Sequence, residues 1–318
     1  MGIFDKLPKP FVALAPMYDV TDTVFRQIIA GCAPADLYYT EFVNVDGLQS
    51  EGRSKIDFRL RFSATEQPLV AQIWGLEPEN YRQTAAELVK MGFAGIDINF
   101  GCPEKSVVKN GCCIALANDR PLAAEIIQAT REGARGKVPI SVKTRLGFND
   151  IDPSWIEFLL QQDLDMLTIH GRTRREMSKV PAHWDEIGKI RELRDQMGVK
   201  TLIIGNGDVP NRQKAMELAA KYQLDGIMIG RGVFNDPFAF AELSPWPNYS
   251  PNQRLGLYKK HVELFTQTWQ NHERPIQTLN KFCKIYINGF DGAKELRELL
   301  MQATGTDELL SQLVSKPS

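Results

Sequence analysis

A chain of 318 residues, 43% hydrophobic and 24% charged, is an ordinary globular composition with material for one large domain and a smaller one. Its 38 basic and 39 acidic residues leave a net charge of −1, so bulk charge gives no argument for nucleic acid, and any such contact has to come from a local patch. No apolar run approaches the ~18 residues of a membrane span, Lys6 occupies the place a myristoylation signal gives to Ser or Thr, and five cysteines without a secretory leader predict free thiols in a reducing, cytoplasmic setting.

From the N-terminus, short apolar runs recur. They are "FVALAP" from Phe11, "DLYYTEF" from Asp36, "LVAQIW" from Leu69, "GIDINF" from Gly95, "PISVKTR" from Pro139, "MLTIHGR" from Met166, "TLIIGNGD" from Thr201 and "GIMIGRG" from Gly226. They are apolar almost throughout, as parallel strands covered on both faces are. Amphipathic helices fill the gaps. In "PENYRQTAAELVKMGF" a single face carries Tyr81, Ala85, Leu88 and Val89, with Pro78 in the first turn and Gly92 at the stop. In "HWDEIGKIRELRDQMG" Ile187, Ile190, Leu193 and Met197 form a similar stripe. Eight strand–helix units predict an α/β fold, a (β/α)8 TIM barrel. A doubly wound open sheet fits less well, because "APMYDVTD" after the first strand has no glycine.

Near residue 245 the texture changes. Pro245, Pro247 and Pro251 read as a linker, and helices are predicted beyond it at 252–272, 275–288, 293–303 and 306–315. The expected division is a barrel domain, residues 1–244, and a small all-α domain, residues 245–318.

Active sites of this barrel class lie at the C-terminal ends of the strands. Those ends carry Ala15, Pro16 and Met17, then Glu41, Gln72, Asn99 with Cys102, Lys143 with Arg145, His170 with Arg172, Asn206-Gly207-Asp208, and Gly230-Arg231-Gly232. The glycine-rich turns after the last two strands suit a phosphate. With Lys143, Gln72 and His170 as partners for a heterocycle, the set fits FMN, with its phosphate at the last two strands and its ring over the barrel axis. No cysteine pair has metal-ligand spacing, so no metal is expected.

The motifs "APMYDVTDTVFR", "TEF", "AQIWG", "DINFGCPEKSVVKNG", "SVKTRLG", "HGRTR", "IGNGD" and "MIGRG" resemble, in order, those of the dihydrouridine synthase family of flavin-dependent tRNA-modifying enzymes. "NKFCKIYINGFDGAKELR" resembles that family's helical domain. The resemblance implies reduction of the C5=C6 bond of a uridine in tRNA, with NADPH as reductant and reduced FMN giving hydride to C6. Cys102 would be the proton donor to C5. Ala15, Pro16, Met17, Gln72, Lys143, His170, Asn206, Gly207, Asp208, Gly230 and Arg231 would hold the flavin. Asn99 would touch the uracil, and the helical domain would grip the RNA. Arg145, Arg172, Arg174, Arg175, Lys109, Lys281 and Lys284 are the candidates for RNA phosphates, and the protein is expected to be a monomer. An unperturbed thiol, with a pKa of roughly 8.5, stays mostly protonated at neutral pH and can act as the acid.

The chain departs from the family in "NGCCIAL", where Cys113 and Ile114 stand at positions the family fills with smaller residues, Cys113 in place of a glycine. Ser178, Val180 and His183 change the loop after "HGRTR". Asn280 and Phe282 replace an expected Arg and His. The rival readings are a flavin barrel acting on a small pyrimidine, such as a dihydropyrimidine or dihydroorotate dehydrogenase, and a non-catalytic flavin-containing tRNA-binding protein.

Overall fold

The structure, a computed structural model, describes residues 2–269 and 273–314; the predicted helix ends at 270–272 and 315 lie outside them. The strands are β1 (Phe11–Leu14), β2 (Tyr38–Tyr39), β3 (Val43–Asn44), β4 (Leu69–Trp74), β5 (Gly95–Phe100), β6 (Ile140–Arg145), β7 (Met166–His170), β8 (Leu202–Asn206) and β9 (Gly226–Ile229). They pair in the order β1-β9-β8-β7-β6-β5-β4-β2, with β3 also on β4, and every pairing is parallel. A parallel bridge from Ala13 to Leu37 closes the ring, where Leu14 N–H donates to Leu37 O at 3.0 Å. This is the (β/α)8 barrel that the recurring apolar runs predict. The second run differs: it splits into β2 and β3, because Glu41 between them turns into a buried cluster of ion pairs.

Helices α1 (Thr23–Cys32), α2 (Val45–Leu48), α3 (Pro78–Met91), α4 (Lys105–Lys109), α5 (Arg120–Ala134), α6 (Pro153–Leu160), α7 (Trp184–Gln196) and α8 (Arg212–Tyr222) surround the strands. Their ends follow local chemistry: Asp22 caps α1 by accepting from Phe25 N–H at 2.9 Å, and α3 starts at Pro78 and ends at Gly92 with φ 87°.

Side chains on a strand alternate, so each barrel strand sends every second residue inward. Phe4 and Leu7 rise from the N-terminal segment to join Phe11, Ala13, Leu37, Val70, Met166, Ile204 and Met228 in a packed cluster that fills the lower barrel. Each of the larger side chains, the Phe, Leu, Val, Ile and Met, contributes roughly 1.5–3 kcal/mol when buried. Above this plug the inward positions turn polar. Gln72, Asp97 and Ser141 lie side by side; Asn99, Lys143 and Thr168 follow; Arg145, His170 and Asn206 form the top layer.

After the barrel come α9 (Pro251–Thr268), α10 (Asn280–Tyr286), α11 (Ala293–Leu300) and α12 (Thr306–Val314). The proline-rich stretch ahead of them is a packed corner rather than a loose linker. Trp246 is buried there, with Tyr249 at 5.3 Å and the Arg254 guanidinium at 4.7 Å from its ring. The helices dock on the barrel through α1, where the rings of Phe25 and Phe282 lie 4.9 Å apart.

Candidate active site at the barrel mouth

A cavity of about 680 Å³ opens at the C-terminal ends of the strands, inside the usual ~300–1,000 Å³ range for a ligand pocket. Ala15, Pro16, Met17, Lys143, His170, Asn206, Gly207, Asp208, Gly230 and Arg231 all line it, ten of the eleven residues expected to hold a flavin. Gln72 is the exception. It is fully buried in the layer beneath, where its Nε2 donates to Asp97 at 2.6 Å and its Oε1 accepts from Asn99 at 3.0 Å. Burial raises the Asp97 carboxyl to about 6, while Ser141 and Gln72 donate to it.

The lining has a defined electrostatic character. Burial lowers the Lys143 ammonium to about 8, and the nearby Arg145 charge acts in the same direction. Among the described residues its Nζ makes no hydrogen bond, so it is available to a ligand. His170 is held neutral, well below its ordinary value, by burial and by the surrounding cations Arg145, Lys143, Arg172 and Arg231. Arg172 Nη1 lies 3.0 Å from His170 Nε2. Since a guanidinium only donates, we assign the ring proton to Nδ1. Gly207 sits at φ 131°, and a Cβ there would meet the Ala182 Cβ at 2.7 Å, so only glycine fits this turn. At Gly230 a Cβ would stand 3.6 Å from the Ala15 Cβ and 3.9 Å from the Met17 sulfur, projecting into the cavity.

Cys102 stands on the loop after β5, next to the strand that carries Lys143, and is pinned from two sides. Asn99 Oδ1 accepts from the backbone N–H groups of Gly101 and Cys102, both at 3.0 Å. Arg145 Nε donates to the Gly101 carbonyl at 2.8 Å. A continuous line therefore runs from Ser141 through Asp97, Gln72 and Asn99 to the thiol loop. The thiol does not keep an ordinary acidity. The Cys113 thiol beside it, the Glu104 backbone N–H and the Arg145 charge together bring it to about 7, against the effect of burial. That departs from the value near 8.5 expected of an unperturbed cysteine. Cys113 itself is buried and pushed well above its ordinary value, so it stays a protonated donor. It also adopts φ 56°, a left-handed conformation that costs a non-glycine residue about 1 kcal/mol or more.

The candidates for RNA phosphates divide. Lys109, Lys281 and Lys284 are exposed, and Lys281 Nζ donates to the Asp19 carbonyl at 2.8 Å. Arg145 and Arg172 are buried and committed to the protein. Arg145 holds the carbonyls of Gly101, Thr173 and Met177, and Arg172 holds Val180 O and Asp208. Arg172 also lines the cavity, while Arg145 braces the loops around it. Arg174 lies over the Phe148 ring at 5.1 Å, and Arg175 pairs with Asp150 at 2.5 Å.

Sequence reading misses a second cluster. Buried Glu41 accepts from Arg59 at 3.2 Å and from Arg274, beyond α9, at 2.9 Å; Arg274 also pairs with Asp22 at 3.1 Å and Asp19 at 3.3 Å. Glu41 was the one signal for it, a carboxylate at the end of a strand. Elsewhere, no group of three His, Cys, Asp or Glu among the described residues could hold a metal, and no described helix is long and apolar enough to cross a membrane.

An open mouth with an apolar edge at Ala15–Met17, a cradle at Gly230, an available ammonium and a neutral imidazole fits a planar heterocycle carrying a phosphate. Such a mouth on a (β/α)8 barrel suits a flavin-dependent oxidoreductase. The family model "Dihydrouridine synthase (Dus)" matches residues 13–316. The chain is 46% identical over 310 residues to a probable tRNA-dihydrouridine synthase of Staphylococcus aureus (strain COL), covering 96% of this chain and 93% of the relative. It is 45% identical over 311 residues to probable tRNA-dihydrouridine synthase 2 of Bacillus subtilis (strain 168), covering 97% and 94%. This chain belongs to the dihydrouridine synthase family. Among solved structures, morphinone reductase shares the fold with a TM-score of 0.53 at 13% identity, over 73% of this chain and 84% of that one. A 2-naphthoyl-CoA reductase complex does so with a TM-score of 0.55 at 12% identity, over 71% of this chain and 48% of the other.

Proposed function

We propose that this protein reduces the C5=C6 bond of a uridine in tRNA, with FMN as its flavin and NADPH as its reductant. The observation that carries the reading is the doubly pinned Cys102 loop after β5, one strand from the Lys143 that lines a cavity fit for the cofactor. Bound there and reduced, the flavin supplies the hydride that C6 receives.

The chain's own residues do the rest. Cys102 holds the proton for C5: its S–H bond breaks, a C5–H bond forms, and a thiolate remains. Cys113, the Glu104 N–H and Arg145 stabilise that thiolate, which makes Cys102 a better acid than a free cysteine. Asn99 anchors the thiol loop with its oxygen and keeps one amide N–H for the uracil. Gln72, buried beneath the mouth and tied to Asp97 and Asn99, holds Asn99 and with it the thiol loop in place. Ala15, Pro16 and Met17 face the ring. Lys143 and neutral His170 meet its polar atoms. Asn206, Gly207, Asp208, Gly230 and Arg231 take the ribityl-phosphate end.

A uridine reaches this mouth only by leaving its stack. Residues 245–318 act as a helical domain that gives the RNA a second grip, by shape and phosphate contact. Exposed Lys109, Lys281 and Lys284 meet its phosphates, and Arg145 and Arg172 hold the loops these contacts need. The reading takes a monomer as the working unit and the cytoplasm, where tRNA is found, as its setting.

The deciding experiment maps dihydrouridine by mass in tRNA from cells with and without the gene. One or more positions should revert to uridine without it, and unchanged tRNA would refute the proposal. Purified protein should be yellow and bleach with NADPH. Cys102→Ala should keep flavin and tRNA binding but leave the uridine unreduced.

A further inference from the structure

At the seam between the barrel mouth and the C-terminal helices, one large aromatic side chain stands half in water. Tyr18, directly after the cavity-lining Met17, is 51% exposed. It is nonetheless firmly placed. The Arg59 guanidinium lies 4.3 Å from its ring centroid, and the half-buried Phe42 ring lies 5.3 Å away. Arg59 is buried and fixed by Glu41 at 3.2 Å and Asp19 at 3.1 Å.

The next residue, Asp19, is held at φ 56° from several directions. Its N–H donates to Glu41 at 2.6 Å, its carboxylate accepts from Arg59 and Arg274, and its carbonyl accepts from Lys281. A backbone fixed this firmly beneath an exposed ring is a surface prepared for another flat group. The charges around it cancel, Arg59, Arg274 and Lys281 standing against Asp19, Asp22 and Glu41. The patch therefore carries no net charge, and what it offers beyond exposed Lys281 is an aromatic face. It offers a π-surface backed by a guanidinium, which any nucleobase can stack on. Tyr18 follows the cavity-lining Met17 directly in the chain, so the patch adjoins the mouth.

We propose that Tyr18, with Phe42 beside it, is the stacking platform for a nucleobase adjoining the uridine that enters the cavity. The inference rests on the tRNA uridine-reductase reading and adds the residue that receives the neighbouring base.

The test compares full-length, flavin-loaded wild type with Tyr18→Ala and Tyr18→Phe. Dihydrouridine formation and gel-shift affinity are measured on unmodified transcripts of the cell's tRNAs at several salt concentrations. Tyr18→Ala should lose about five- to hundredfold in kcat/KM and in tRNA affinity, the usual strength of one base stack. Tyr18→Phe should stay within about twofold, because it keeps the ring. The slope of affinity against salt should not change, because no phosphate contact is lost. NADPH bleaching without RNA verifies that each variant holds its cofactor. Tyr18→Ala within about twofold of wild type, Tyr18→Phe as weak as Tyr18→Ala, or a salt slope reduced by about one would each overturn the platform. Wild type that forms no dihydrouridine on any tRNA would refute the uridine-reductase reading instead, and the gel shifts would still report on Tyr18.

Discussion

At the scale of single residues, the chemistry turns on a thiol whose acidity its neighbours set. Cys102 at about 7 is protonated below that pH and thiolate above it. A proton donor must be protonated, so kcat/KM for tRNA should fall with rising pH above about 7, approaching tenfold per pH unit. Cys113→Gly removes the donating thiol and suits the left-handed backbone at φ 56°. It should move that limb upward in pH and slow alkylation of Cys102 at neutral pH. A limb that stays in place would show that Cys113 does not tune the acid. The glycine at 230 carries a separate prediction. Gly230→Val fills the space beside Ala15 and Met17, so the protein should fold with an unchanged far-ultraviolet spectrum but purify largely without flavin.

At the scale of elements, Arg274 ties the C-terminal helices to the loops after β1 and β2. Arg274→Ala would leave buried Asp22 without its guanidinium and Glu41 with Arg59 alone, and breaking a buried pair typically costs about 3–5 kcal/mol. Urea denaturation should show that loss; a change below about 1 kcal/mol would mean the cluster is not a structural tie. This tie is what sequence reading could not reach. Glu41 and Arg274 are 233 residues apart, and no local pattern links them. The strands were legible because burial on both faces leaves continuous apolar runs, and α3 because its proline and glycine punctuate both ends. Arg145 and Arg172 were not, since the letter for arginine is the same whether its guanidinium meets phosphate or a buried carbonyl. The acidity of Cys102 was hidden for a related reason: Cys113 follows eleven residues later, and only the fold brings the two sulfurs together.

At the scale of the whole molecule, most of the cavity wall could be read from strand ends, because a barrel converts eight separate positions into one ring. What the ring encloses is equally consequential. The plug of Phe4, Leu7, Phe11 and Met228 seals the barrel from below. Nicotinamide and pyrimidine therefore share a single doorway and must take turns at it. Initial-rate data at several fixed NADPH concentrations should give parallel double-reciprocal lines, the signature of a reductant that leaves before the RNA arrives. Intersecting lines would mean that both guests fit through the entrance together.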